Sequence, residues 1–315
     1  MFKGKFGLWV VILVVAFIAN WLITSIPVWT HTDDLTVMVD VSVDNDLDAV
    51  LANKTLSKTN ISISSDNPGM IISNSDKPNY EGYTKYDNYL TSPLVAYVCG
   101  LYSHSDGFIP VPSTSNCYKI DLYTVLKTLN AGGDWSSLGM HEDVLSGKVK
   151  VYIPNEQSAY YDSVVELFYV TFNNGKTPSD SERTILTEQV NKTLSNCNKI
   201  ADATQTIYDE YKNPTKEHKF IIAPEFLYVR GKDSSMGSGY NSSNRTTNAK
   251  QYRPTYFLNT VYITADVYVN NDESIGAIAQ NFITTLQSDS TFMSQTGWRV
   301  KNYSFDLNDV YYKTH

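Results

Sequence analysis

Short apolar runs alternate with stretches of helical spacing along these 315 residues, which predicts an α/β protein built from parallel βα units. The strand-and-helix pairs fall into two sets separated by loop-rich stretches, so two lobes are expected. Ahead of both sets lies a long apolar run at residues 6–26, expected to be one transmembrane helix.

The first thirty residues decide where the rest resides. Residues 6–26 are apolar except for Asn20, Thr24, Ser25 and small side chains. About 20 such residues suffice to cross roughly 30 Å of hydrocarbon as a helix. Lys3 and Lys5 precede the run, and Asp33 and Asp34 follow it. This bias places the N-terminus in the cytoplasm and the remainder outside, with Trp9, Trp21 and Trp29 near the interfaces. A cleaved signal peptide is the competing reading. The apolar run is longer than a typical signal core, and no small-x-small site precedes Pro27, so a single-pass anchor in the cell membrane with an extracellular C-terminal part is expected.

Residues 35–43 (LTVMVDVSV) alternate as a first strand, and residues 46–52 suit a short helix capped by Asp44 or Asn45. Residues 70–73 (MIIS) form a short buried strand, followed by a polar, tyrosine-rich stretch at 80–89 and a second apolar strand at 93–98 (PLVAYV). Residues 121–130 carry Leu122, Val125, Leu126 and Leu129 at helical spacing, and Gly132 and Gly133 stop that helix. A strand is expected at 148–153 (KVKVYI) and a helix at 161–171. A longer helix, capped by Ser179 or Thr177, should run to about Cys197. Further helical spacing covers 199–212. Residues 220–223 (FIIA) read as a strand closed by Pro224 and Glu225. Residues 231–250, rich in Gly, Ser, Asn and Thr, read as a mobile exposed loop. Residues 262–269 (YITADVYV) are a strand, and 274–287 an amphipathic helix with Ile275, Ile278, Ala279, Phe282 and Leu286 on one side.

Composition excludes several function classes. Hydrophobic content of 42% against 18% charged residues supports a buried core rather than global disorder. A net charge of −8 opposes phosphate binding, so no nucleic-acid partner is expected, nor a domain lying flat on anionic lipid. The 23 tyrosines suit polar clefts and partner surfaces alike. Three cysteines form no CxxC or Cys/His metal pattern. Cys99 and Cys117 flank a loop rich in Gly, Pro and Ser and are a candidate disulfide in an oxidising exterior, which would leave Cys197 as an odd, buried thiol. Sequons stand at Asn53, Asn60, Asn191, Asn241, Asn244 and Asn302, at a frequency that abundant Asn, Ser and Thr produce by chance.

Four segments together resemble the bacterial extracellular solute-binding proteins of the type II periplasmic-binding fold. Residues 70–75 (MIISNS) resemble the strand and polar loop where such proteins begin their ligand site. Residues 92–98 (SPLVAYV) resemble the first crossover between lobes. Residues 120–147 followed by KVKVYIPN, with Trp135 in the turn, resemble the opening of the second lobe. Residues 272–299, ending in Gly297, Trp298 and Arg299, resemble the return helix and its terminal signature. The resemblance implies lobe I at 31–97 and 255–315 and lobe II at 98–254, behind an anchor segment at 1–30. The lipoprotein cysteine usual in such proteins is missing, which leaves anchoring to the helix.

Ligands of open α/β sheets bind beyond the carboxyl ends of the strands. Three loops meet that description: Ser73, Asn74 and Ser75; then Glu156, Gln157, Ser158, Tyr160 and Tyr161; then Glu225 and Phe226. The hydroxyls and helix starts offer donors to a polar ligand, whereas the same Ser73, Ser75 and Ser158 are also ordinary turn and cap residues. Glu225 is suited to a cation or to a hydrogen bond with a neighbouring strand. The five histidines are scattered without HExxH spacing, and no G-x-S-x-G elbow occurs, so no catalytic residue, metal or cofactor is assigned. The expectation is capture of a small polar solute between two lobes without catalysis. The alternative is a cell-envelope protein that uses the same scaffold for protein–protein contacts.

Overall fold

The computed structural model describes residues 33–300 apart from 45, 54, 57, 75–79, 100–106, 111–117, 141–144, 202–205, 207–219, 228–251, 287–291 and 293–295. The expected membrane span at 6–26, Ser75, Cys117, the Cys99 side chain and the loop at 231–250 lie outside the described residues. Among the described residues no helix is long and apolar enough to cross a membrane.

Thirteen strands are present among the described residues, joined in one sheet. Its first half holds β1 (Asp33–Asp40), β2 (Thr55–Leu56), β3 (Thr59–Ile63) and β4 (Met70–Ser73). β1 runs parallel to both β3 and β4, with Val37 opposite Ile63 on one flank and Met70 on the other. The crossover between β1 and β3 carries α1 (Leu47–Ala52), whose Leu47 and Leu51 are buried. Asp46, rather than Asp44 or Asn45, stands at the start of α1, and its side chain makes no capping hydrogen bond.

The main departure from sequence expectation is β5 (Tyr83–Cys99), one strand of 17 residues where a polar stretch and a separate short strand were anticipated. Its first half is polar and largely exposed: Lys85 and Asp87 are solvated and paired to each other, and burial begins only at Tyr89 and Leu90. Its second half, from Leu94 to Val98, is wholly buried. An irregularity separates the two halves: Asn88 has a φ of 47°, and the register against Tyr262–Asn270 shifts between Ala265 and Val267.

The second half of the sheet holds β6 (Ile109–Pro110), β7 (Tyr118–Ile120), β8 (Val151–Pro154), β9 (Asn198–Ile200), β10 (Phe220–Pro224) and β11 (Tyr252–Phe257). β8 is parallel to β9 and β10, and both β10 and β11 are antiparallel to the end of β5. The helices are α2 (Leu122–Asn130), α3 (Tyr161–Phe172) and α4 (Asp180–Asn196). α2 buries the four apolar residues whose spacing predicted it and is capped by the Asp121 carboxylate. α4 begins with a capping box: Ser179 accepts from the Glu182 amide, and Glu182 accepts from the Ser179 amide at 2.7 Å. Residues 198–200 are a strand, not the start of the helix expected at 199–212. Trp135 opens a short 3-10 turn and is buried against Phe220.

The chain then returns through β12 (Tyr262–Asn270), antiparallel to β5 from Tyr83 to Pro93 and to β4. α5 (Glu273–Leu286) follows and buries Gly276, Ala279, Phe282, Ile283 and Leu286. β13 (Arg299–Val300) closes the described chain beside Thr91 and Leu90 of β5. The fold is thus a mixed α/β arrangement with a curled sheet, in which parallel units on either side share one long antiparallel strand.

Cys197, at the end of α4, is buried with its thiol free. Burial pushes its pKa up to about 12 from an ordinary 9.0, because the thiolate would lose its hydration. The folded chain therefore keeps this proton over a range where the unfolded chain releases it, so stability falls as pH rises from 9.0 toward about 12. The slope due to this group approaches ~1.4 kcal/mol per pH unit. Urea titrations across that range should show a shallower alkaline decline for Cys197→Ala than for the parent. At pH 8, iodoacetamide should label the Cys197 peptide only after unfolding.

Candidate functional site

Strand direction brings the two halves of the candidate site toward each other. β4 and the first half of β5 both run antiparallel to β12, so β1, β3 and β4 point their carboxyl ends along the direction of β5. β10 runs antiparallel to β5, so β8, β9 and β10 point the opposite way. The register fixes where they meet. Ser73 is opposite Asp266, one residue before the β12 position that faces Tyr86, on one side; Pro224 is opposite Leu94 on the other. Both sets of carboxyl ends approach the middle of β5.

On the first side, the chain ends of β1 and β4 are tied together. The Asn74 amide donates to the Asp40 carbonyl at 3.2 Å, and the Ser42 amide donates to Asn74 Oδ1 at 2.9 Å. Ser73 is buried. Asp266 beside it accepts from the Asn88 amide at 2.7 Å and pairs with Lys85 at 2.8 Å. Hydrogen bonds from Lys85 to Asp266 and Asp87 hold its ammonium well above the ordinary lysine range. A depression of about 240 Å³ opens at the end of β1, lined by Val39, Asp40, Val41, Ser42, Asp44 and Asp48. Tyr80 donates from its hydroxyl to Asp40 Oδ2 at 3.3 Å. Sequence reasoning placed Ser73 and Asn74 at this edge but missed Asp40, Ser42 and Asp48. The signal was present in DVSVDNDLD, where carboxylates follow the last apolar residues of a strand.

On the second side, residues 155–161 form the turn between β8 and α3. Asn155 organises it: its carbonyl accepts from the Ser158 amide at 3.1 Å and its Oδ1 from the Gln157 amide at 3.2 Å. Tyr160 is buried at the N-cap of α3, and the Ser158 carbonyl accepts from the Tyr161 amide at 3.0 Å. Lys199 on β9 donates to Glu156 at 2.8 Å and to the Tyr161 hydroxyl at 3.2 Å, and its ammonium lies 4.5 Å from the Tyr161 ring centroid. Burial works against the Lys199 charge, but Glu156 and Tyr161 outweigh it and raise its pKa overall. The same bond holds the Glu156 carboxylate below its ordinary range. Tyr161 is thus fixed by a lysine that the sequence pattern placed in a helix.

Glu225 follows β10 and is buried. Its carboxylate accepts from Arg299 Nη2 at 2.8 Å and Nε at 3.1 Å, and from the Tyr256 hydroxyl. Of the two roles open to it on sequence grounds, the structure displays the hydrogen bond to neighbouring strands. Burial opposes the Arg299 charge, and the facing Glu225 carboxylate more than restores it, so the guanidinium pKa is raised overall. Next to this pair the Phe226 and Trp298 rings stack 5.3 Å apart at 11°. The Trp298 Nε1–H donates to the buried Asp44 carboxylate at 2.6 Å.

No family model matches the chain, and no curated protein matches its sequence. Solved structures to which it is similar include a protein from Bordetella parapertussis described as an extracellular solute-binding protein. That pair shows 10% identity over 88% of this chain and 89% of the other, with a TM-score of 0.46. A full-length OxyR variant from Pseudomonas aeruginosa aligns over 89% of this chain and 74% of its own at 10% identity and a TM-score of 0.37. PEB3 bound to L-phospholactate aligns over 84% of this chain and 99% of its own at 11% identity and a TM-score of 0.37. The solute-binding group that the sequence resembles is thus represented among the similar structures.

Proposed function

We propose that this chain is a membrane-tethered extracellular binding protein that holds a small polar ligand at the facing carboxyl ends of its two strand sets. The observation that supports this most directly is the convergence of oppositely directed parallel strands on the middle of β5, with a depression at the end of β1. Three aspartates and one serine line that depression, so it offers acceptors and repels anions; the ligand is one that presents hydroxyl or ammonium donors. Gln157, Ser158 and Tyr161 supply the opposing side, with Tyr161 as the apolar platform. The chain acts by closing on its ligand, without catalysis.

The test is thermal denaturation of the full chain in detergent against separate panels of amino acids, polyamines and sugars. A donor-rich compound should raise the transition, by about 2.7 kcal/mol of stabilisation at a hundredfold excess over Kd. Asp40→Asn and Asp48→Asn should reduce that gain. A panel with no stabilising compound, or a gain untouched by both substitutions, defeats the reading.

The tether is tested separately. Residues 6–26 should retain the chain in membranes through an alkaline carbonate wash, and deletion of residues 1–30 should release it. Release of the intact chain by the wash would refute the anchor.

A further inference from the structure

Only two covalent passages join the described halves of the sheet: β5 itself, and the segment between β11 and β12, where the Leu94 amide donates to the Val261 carbonyl and the Thr260 hydroxyl to the Leu94 carbonyl. A third link is made by side chains. β13 pairs with the first half of β5, opposite Leu90 and Thr91, yet its Arg299 grips Glu225 at the end of β10. Trp298 lies on Phe226, whose amide donates to the buried Ser92 hydroxyl at 3.2 Å. Gly297 approaches the Phe226 backbone so closely that an added Cβ would lie 2.4 Å from its Cα. Each residue of Gly297, Trp298 and Arg299 therefore engages Glu225 or Phe226 across the junction.

The same Trp298 reaches the depression. Its indole N–H holds Asp44, a wall of that depression, while its ring rests on Phe226. We infer that Trp298 is a positioning residue that links the Glu225–Arg299 junction to Asp44, so that the setting of the two sheet halves and the shape of the depression move together. This inference rests on the reading of the depression as a ligand site. It does not need the ligand to be tested. A rigid aromatic bonded at one edge and stacked on its face has little freedom to shift without moving both neighbours. A ligand at Asp44 then favours one setting of the halves to the extent that its affinity differs between settings.

Hydrogen exchange followed by mass spectrometry on the full chain in detergent tests the link. Two variants perturb it from opposite ends. Trp298→Phe keeps a ring on Phe226 and removes the donor to Asp44. Tyr256→Phe removes one hydroxyl from Glu225, leaves Arg299 in place and is conservative enough to fold. Both should raise exchange at amides 41–48, by about tenfold for Trp298→Phe, which loses a bond to a carboxylate. Amides of α4, remote from the junction, should stay at the parent rate in both. Unchanged exchange at 41–48 in Tyr256→Phe overturns the inference, as does a uniform rise across the chain in either variant. Neither result bears on whether any solute stabilises the protein, so the failure of one reading is distinguishable from the failure of the other.

Discussion

Arg299→Met should lower the stability of the folded chain by about 3–5 kcal/mol, read as an earlier midpoint in urea at constant slope. The size follows from burial: Arg299 is 2% and Glu225 3% exposed, so neither partner can turn to water when the other is lost. The Glu225 carboxylate would keep only the Tyr256 hydroxyl as a partner among the bonds described above. The companion measurement is the double substitution Arg299→Met with Glu225→Leu. Replacing both charges with apolar side chains of similar volume removes the stranded carboxylate, so most of the lost stability should return. A double variant as unstable as the single one would show that packing around the guanidinium, not its charge, carries the effect.

The second large effect is expected for Gly297→Ala. Gly297 has φ +75°, a region that costs an L-residue roughly 1–2 kcal/mol. A methyl there would also sit 2.4 Å from Phe226 Cα and 2.7 Å from its Cβ. The nearest obstacle is backbone, so no side-chain rotation relieves it, and overpacking adds roughly 1–3 kcal/mol. A loss of about 2–5 kcal/mol is expected in the same urea assay. The Phe226–Trp298 stack should be disturbed too, which near-ultraviolet circular dichroism reads directly. A spectrum and midpoint equal to the parent would show that the junction has slack absent from the structure.

These residues illustrate what a sequence discloses and what it conceals. The apolar runs at 70–73, 220–223 and 262–269 and the spacing of Leu122, Val125, Leu126 and Leu129 marked real strands and a real helix, because burial on a fixed period is a local property. Ser179 and Glu182 marked a helix start for the same reason. β3 (TNISI) and β11 (YRPTYF) gave no such sign: one is short and mostly polar, the other carries a proline. The first half of β5 was hidden by Lys85 and Asp87, whose charges are balanced within the strand and by Asp266. The candidate site was legible only in outline. Carboxyl ends of strands pointed to Ser73, Asn74, Ser158 and Glu225, whereas the partner that occupies Glu225 stands 74 residues away and is chosen by the fold. Asp44, read as a helix cap, turned out to be held by an indole 254 positions later.

The long shared strand also sets an order of events during synthesis. Tyr86 of β5 bonds to Gln280 of α5 across a separation of 194 residues, and β4, flanked early by β1, finds its second partner only in β12. At ordinary elongation speeds of about 5–20 residues per second, the ribosome needs roughly 10–40 s to deliver that far segment. Throughout this interval the early strands have no completed sheet to join. The first half of the sheet therefore stays open on the flank of β4 until the final third of the chain emerges.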